Sequence, residues 1–391
     1  MPAAEIAPVS GTSFGPEWAL LLAACSVSPK REALDCIPLL LTQLGSWKSV
    51  LSLADKHGVL SLLHQALSRG ACEVPVEVLR ELKDRYHANL HKSLFLSREL
   101  IRILDCLGQL GIEAMPYKGL ALAEQIYGDM ALRQSGDIDL LIRPQDLSRI
   151  KEAVRDLGYT PHDQLSPAEE RAYLRSGYEC SFDSPAGRNL LEVQWAIQPR
   201  FYTVEVDMEA LFQRGVTVTV AGRPMKTLSP EDQILILSVH AAKHVWGRLI
   251  WLCDIARIAQ LPNLNWKWIE REATTLGIAR ILRVTFDLAR RFAHSPVPAS
   301  LRTTEDQQAS ALADEVAVQF VSGNAPDVES LAYFRLMMRL RERRADRMRF
   351  LRRLALTPGP NEWKAVRLPA SLFPLYRLVR LSRLAARFAR I

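Results

Sequence analysis

Between residues 16 and 110 the apolar positions fall three and four apart, as in Trp47, Val50, Leu51 and Ala54, then Val59, Leu60, Leu62 and Leu63. That period gathers them on one helical face. Four or five helices are expected, with a turn around Gly70 and Pro75. The long amphipathic run VEVLRELKDRYHANLHKSLFLSRELIRILDCLGQLG stops at Gly111, where a helix C-cap belongs. The pattern then changes. IEAMPY is short and apolar, while DIDLLI and LEVQW alternate with the period of two expected of strands. GLALAEQIYGD and PQDLSRIKEAVRDLGY return to helical spacing, the second opening at Pro144 and closing at Gly158. VTVTVAGRPMKTL reads as a hairpin turning at Ala221-Gly222. Ser229-Pro230-Glu231-Asp232 starts a helix with serine as its cap, and LILSVHAAKHVWG and LIWLCDIARIAQL lead into further helices.

The expected fold class is therefore α+β, a small α/β core flanked by N-terminal and C-terminal helical blocks. Its divisions are a helical region over 1–110, the core over 111–228, a helical domain over 229–325 and a C-terminal helical segment over 326–391. A chain of 391 residues has room for more than one core. Apolar residues at 48% and charged residues at 24% exclude a disordered chain.

The net charge of +7 suggests a nucleic-acid partner until its location is considered. Residues 331–391 hold 16 basic and three acidic side chains, so that segment is +13 and everything before it is −6. RLRERRADRMRFLRRL and PLYRLVRLSRLAARFARI read as basic amphipathic helices. Three destinations suit them: an anionic membrane surface, RNA, or the acidic body of the chain itself. The cysteines Cys25, Cys36, Cys72, Cys106, Cys180 and Cys253 lack metal-like spacing and read as reduced thiols. The opening MPAAEIAPVSGTSFGPEW does not resemble a signal peptide, and no uninterrupted apolar stretch approaches the length that spans a bilayer. A cytoplasmic protein with no integral membrane span is expected.

In SGDIDLLI, Asp137 and Asp139 stand two apart and share one strand face, while Ile138 and Leu140 take the other. Glu192 in LEVQW can add a third oxygen from a neighbouring strand. Paired carboxylates repel, and a divalent cation relieves them; three on adjacent strands make a Mg²⁺ (or Mn²⁺) platform for phosphoryl or nucleotidyl transfer. A solvated strand edge is the plainer alternative. Upstream of the pair, Gly119 lies at a strand-to-helix junction, where a backbone without a side chain can approach a phosphate. Lys118 and Arg133 supply cationic donors nearby.

With these residues, the sequence resembles the nucleotidyltransferase superfamily with the polymerase-beta-like fold, in its branch of uncharacterised nucleotidyltransferases. The resemblance runs through ADKHGVLSLLHQAL, PYKGLALAEQIYGD…LRQSGDIDLLI, LEVQW and LSPEDQILILSVHAAKHVWGRLIWLCDIARI. It implies a Mg²⁺-dependent enzyme that moves a nucleoside monophosphate from an NTP such as ATP to an unidentified hydroxyl-bearing acceptor, releasing pyrophosphate. Gly119 would hold the phosphate turn, and Asp137, Asp139 and Glu192 the metal. Leu120 stands where the superfamily has a hydroxyl or glycine, and Gln194 where this branch often has histidine. A toxin-like transferase acting on RNA and a noncatalytic nucleotide-binding scaffold are the alternatives.

His240, Lys243 and His244 form a second group on one helix face. It can be a basic face for triphosphate or acceptor, a zinc pair wanting a third ligand, or histidines packed at a helix interface. Asp254 can pair with that face or buttress it.

Overall fold

A computed structural model of the chain describes residues 14–27, 35–69, 73–184, 187–303, 306–328 and 330–388. Gly70, Cys72 and the opening segment 1–13, on which some of the readings above fall, lie outside the described residues.

The helix Pro16–Cys25 is apolar at every position but Glu17 in its first turn, and a helix of that kind belongs in a core. Leu20, Leu21 and Leu22 are indeed sealed in a core shared by the N-terminal helices and those beyond residue 230, with Cys253, Leu282, Phe286 and Phe320 among its members. A second core lies under the sheet, where Ile138, Leu140, Leu191 and Val193 meet Ile150 and Val154. The helix Val76–Gln109 belongs to both, giving Val78 and Leu82 to the first and Leu96, Leu100, Ile103 and Leu107 to the second. Its 34 residues reach roughly 50 Å.

Five strands, β1 (Met115–Pro116), β2 (Ile138–Leu141), β3 (Thr160–Pro161), β4 (Glu179–Ser184) and β5 (Gly187–Gln194), make a mixed sheet in the order β1-β2-β5-β4-β3. Only β2 and β5 run parallel, and their register sets Asp139 beside Glu192. Each edge of the sheet is a two-residue strand ending in proline. β6 (Val216–Val220) and β7 (Arg223–Thr227) form the hairpin, with Ala221 at φ 48 and Gly222 at φ 80. Two successive left-handed residues are what a tight two-residue hairpin turn requires.

The C-terminal segment packs on the body. Tyr333, Phe334, Met337, Phe350 and Leu354 enter the first core. Trp363 is buried against Tyr173, with ring centroids 6.1 Å apart. Arg353 pairs with Glu205 and Lys364 with Asp163, while Arg380 and Arg383 converge on Glu362. This accounts for the inner face of the Arg-rich segment. Cys25, Cys36, Cys106, Cys180 and Cys253 are unbridged thiols. Among the described residues no helix is long and apolar enough to cross a membrane.

Candidate functional site

The sheet's upper face opens into a cavity of about 300 Å³, closed opposite by the helices Pro230–Lys243 and Leu249–Ile258. Lys118, Gly119, Arg133, Asp137, Asp139, Glu192, His240, Lys243 and His244 all line it. These residues, singled out in the sequence from stretches far apart in the chain, meet at one place.

Alternation places the carboxylates. Ile138 and Leu140 are drawn into the core below, so Asp139 must stand above, and the parallel register brings Glu192 abreast of it. Glu179 on β4 pairs with Gln194 on β5, adding a fourth carboxylate. Gln194 Nε2 donates toward Asp139 at 3.2 Å, Glu192 at 3.2 Å and Glu179 at 3.3 Å, and its Oε1 accepts from Tyr117 at 2.5 Å. Lys118 Nζ reaches Asp139 Oδ1 at 3.0 Å. Negative charge is nonetheless in surplus. Burial, then the charge of Asp139, pushes Asp137 up to about 6. Burial with Asp139, Glu179 and Asp137 pushes Glu192 up to about 8. Burial works against the charge of Lys118, but Asp139 and the Tyr117 hydroxyl together outweigh it, and its ammonium is held above the usual range.

Hard oxygen donors with unrelieved repulsion are the chemistry a divalent cation suits. Asp137, Asp139 and Glu192 fit that group by donor type and strand placement. The side chains of Asp139 and Glu192 are turned to Lys118 and Gln194, and among the described residues no three acidic, histidine or cysteine side chains converge as a metal cluster. Among the same residues no third ligand joins the His240–His244 pair as zinc would require.

Gly119 opens the helix Gly119–Tyr127 at φ 50, and a Cβ there would sit 3.5 Å from the Asp137 carbonyl oxygen. The left-handed backbone favours glycine at this point. No side chain caps the helix start, and Gly119 at that start lines the cavity, so its first N–H groups have no side-chain acceptor there. Leu120 turns into the core under the sheet, and the hydroxyl near the glycine is that of Ser135. Arg133 is locked from behind, its Nε donating to Asp254 Oδ2 at 3.0 Å while Tyr127 donates to Oδ1 at 2.8 Å. Asp254 thus buttresses Arg133 rather than the histidine face.

That face differs from a cationic one. Burial keeps both imidazoles neutral, lowering His240 and bringing His244 down to about 4. His240 meets Trp251 edge to face at a centroid distance of 5.1 Å, and His244 lies tilted against it at 5.6 Å. Lys243 donates to the Tyr178 hydroxyl at 2.7 Å, and burial lowers its ammonium. Tyr117, Ser135, Tyr178, Glu179, Arg248 and Trp251 also line the cavity and escaped the sequence reading. Glu179 had a signal in the alternation of YECSF, unused because its polar strand lacks an apolar run.

A family model described as an uncharacterised nucleotidyltransferase matches residues 44–294. Among solved structures, an antigenic nucleotidyltransferase-like protein from Paracoccidioides brasiliensis is 16% identical, with 52% of this chain and 94% of that one covered and a TM-score of 0.31. Among curated proteins no significant match is found.

Proposed function

Since the chain belongs to the uncharacterised nucleotidyltransferase family, we propose that the cavity transfers a nucleoside monophosphate from an NTP to a hydroxyl-bearing acceptor, with a divalent cation, Mg²⁺ or Mn²⁺. The observation that carries this reading is the register that sets Asp139 beside Glu192, with Asp137 two residues earlier and Gly119 beneath. The acceptor oxygen bonds to the α-phosphorus as the bridge to the β-phosphate breaks, pyrophosphate departs, and the hydroxyl proton leaves to solvent. A cation held by Asp137, Asp139 and Glu192 would supply neutralisation of phosphate charge and acidification of the attacking hydroxyl.

The protein's own groups do the positioning. The helix start at Gly119 receives phosphate oxygens through backbone N–H groups. Arg133 keeps its guanidinium in place through Asp254 and presents its remaining edge to the triphosphate. Lys118 exchanges Asp139 for phosphate, and Trp251 offers a flat face for a base.

One observation favours a second reading. Gln194 Nε2 lies within 3.3 Å of Asp139, Glu192 and Glu179, an amide set among the carboxylates that a nucleotide-binding scaffold without turnover would tolerate. Calorimetry with a nonhydrolysable NTP and Mg²⁺, followed by release of labelled pyrophosphate from the NTP, separates the two. Transfer predicts metal-dependent binding and turnover, both lost in Asp137→Ala and Asp139→Ala. Binding without turnover selects the scaffold, and binding unchanged in the two variants rejects the site.

A further inference from the structure

Both acidic residues beyond 343, Asp346 and Glu362, are buried. The outer surface of the described C-terminal segment past that point therefore carries no carboxylate. Arg344, Arg352, Arg367 and Arg377 are exposed there with no acidic partner among the described residues. Between them stand apolar side chains. Of sixteen large exposed apolar residues among those described, eight lie between Met348 and Leu381. Leu378 is 63% and Met348 65% exposed.

Helical geometry explains this exposure. In the helix Arg344–Leu356, Phe350 and Leu354 face the core, while Arg344, Met348, Leu351 and Arg352 line the opposite side. In the helix Tyr376–Phe388, Tyr376 and Arg380 turn inward, so Leu378 and Leu381 turn out. Leu372 and Leu375 are exposed as well, on the short turn before it. The two helices are bound together by Arg380, which donates to the Leu354 carbonyl.

We propose that this face docks on an anionic lipid membrane, with leucine and methionine entering the headgroup boundary and the arginines meeting lipid phosphates. Patches of cationic and aliphatic side chains without carboxylates suit that surface. Single-stranded RNA calls for exposed aromatic rings on which bases stack. Here Phe373 and Tyr376 are turned against each other, with centroids 5.3 Å apart. A second copy of the chain would have to match a surface with no negative charge of its own. The cavity and its carboxylates take no part, so the inference stands apart from the nucleotide reading.

The test is flotation of the full chain with vesicles of two parts phosphatidylcholine to one part phosphatidylglycerol, against phosphatidylcholine alone. Binding to the anionic vesicles only, released by about 0.5 M NaCl, is expected. Leu378→Ser with Leu381→Ser lowers that binding about tenfold or more, as does Arg367→Gln with Arg377→Gln. These positions are exposed, and an unchanged circular dichroism spectrum verifies the fold. Failure of the wild type to float overturns the proposal, and so does equal flotation of the leucine variant. A dimer in light scattering that the leucine substitutions dissolve, without flotation, assigns the face to a second copy. Tight binding of a short single-stranded RNA in place of vesicles assigns it to RNA.

Discussion

At the scale of single residues, stability and function pull against each other in the carboxylate cluster. Glu192 is costly to ionise where it stands, since burial and three neighbouring carboxylates oppose its charge. Glu192→Gln should raise the Tm of the metal-free protein at pH 8 by roughly 1–2 °C, the equivalent of about 1 kcal/mol. The same variant should lose the upward shift of Tm that Mg²⁺ with an NTP gives the wild type. Differential scanning fluorimetry reads both, and a lower metal-free Tm would contradict the surplus of negative charge. His57 contributes to the response to acid, alongside His240 and His244. Buried between Trp18 and Phe320, it is brought down to about 4 by burial and then by Lys56 and Arg248. The unfolded chain takes up this proton near 6.5 and the folded one only near 4. Its contribution is therefore whole above 6.5 and lost as pH falls through 4, to a total of about 3 kcal/mol. His57→Gln should lower the Tm at pH 7 and flatten its decline between pH 6.5 and 4, read as a Tm series over pH.

The elements show why these residues meet. His57 Nδ1 accepts from the Leu249 N–H and its carbonyl from that of Ile250, so the N-terminal block caps the helix that carries Trp251 and Asp254. The helix Val76–Gln109 works in the same way on the opposite wall. Asn89 Nδ2 donates to the Ala131 carbonyl at 2.7 Å and Ser93 to that of Met130, which fixes the turn leading to Arg133 and Ser135. Asn89→Ala leaves a buried carbonyl unpaired and should cost about 1–3 kcal/mol. It should also weaken binding of a nonhydrolysable NTP several-fold in calorimetry, through Arg133, though residue 89 is absent from the cavity lining. Most of the helices, the hairpin and strands β1, β2 and β5 were legible because their apolar periods are strong and their ends carry Pro, Ser or Gly, whereas the helices Pro167–Ser176 and Met208–Arg214 were not. Asp137, Asp139 and Glu192 were legible because alternation alone sets their face. β3 and β4 were not, for β3 is two residues long and ECSFDS buries only Phe182 and lacks an apolar run, and with β4 went Glu179 and Tyr178. Nor did spacing show that the histidine face is neutral, since that follows from how deeply tertiary packing buries it.

For the whole molecule, the first core joins residues from both ends of the described chain, so its parts are not free to be removed in sequence order. Ending the chain at Gly323 would take away Tyr333, Phe334, Met337 and Phe350. Each buried aromatic or long apolar side chain contributes about 2–3 kcal/mol, and a native fold has only about 5–15 kcal/mol to lose. That truncation should give an unfolded or aggregated protein. Ending at Thr357 keeps all four and should leave a folded protein of lower Tm, resistant to limited trypsin digestion. Full proteolysis of the longer form would show the last two helices to be part of the foundation rather than an outer layer. A different consequence comes from the two-residue edge strands that finish the sheet at Pro116 and Pro161. Proline has no N–H to offer a neighbour, and two residues give almost no ladder to extend. The five-stranded sheet is closed to recruitment at both sides, so strand-on-strand polymerisation at high concentration has no start there, and self-association is left to the helical surfaces and the separate β6–β7 hairpin.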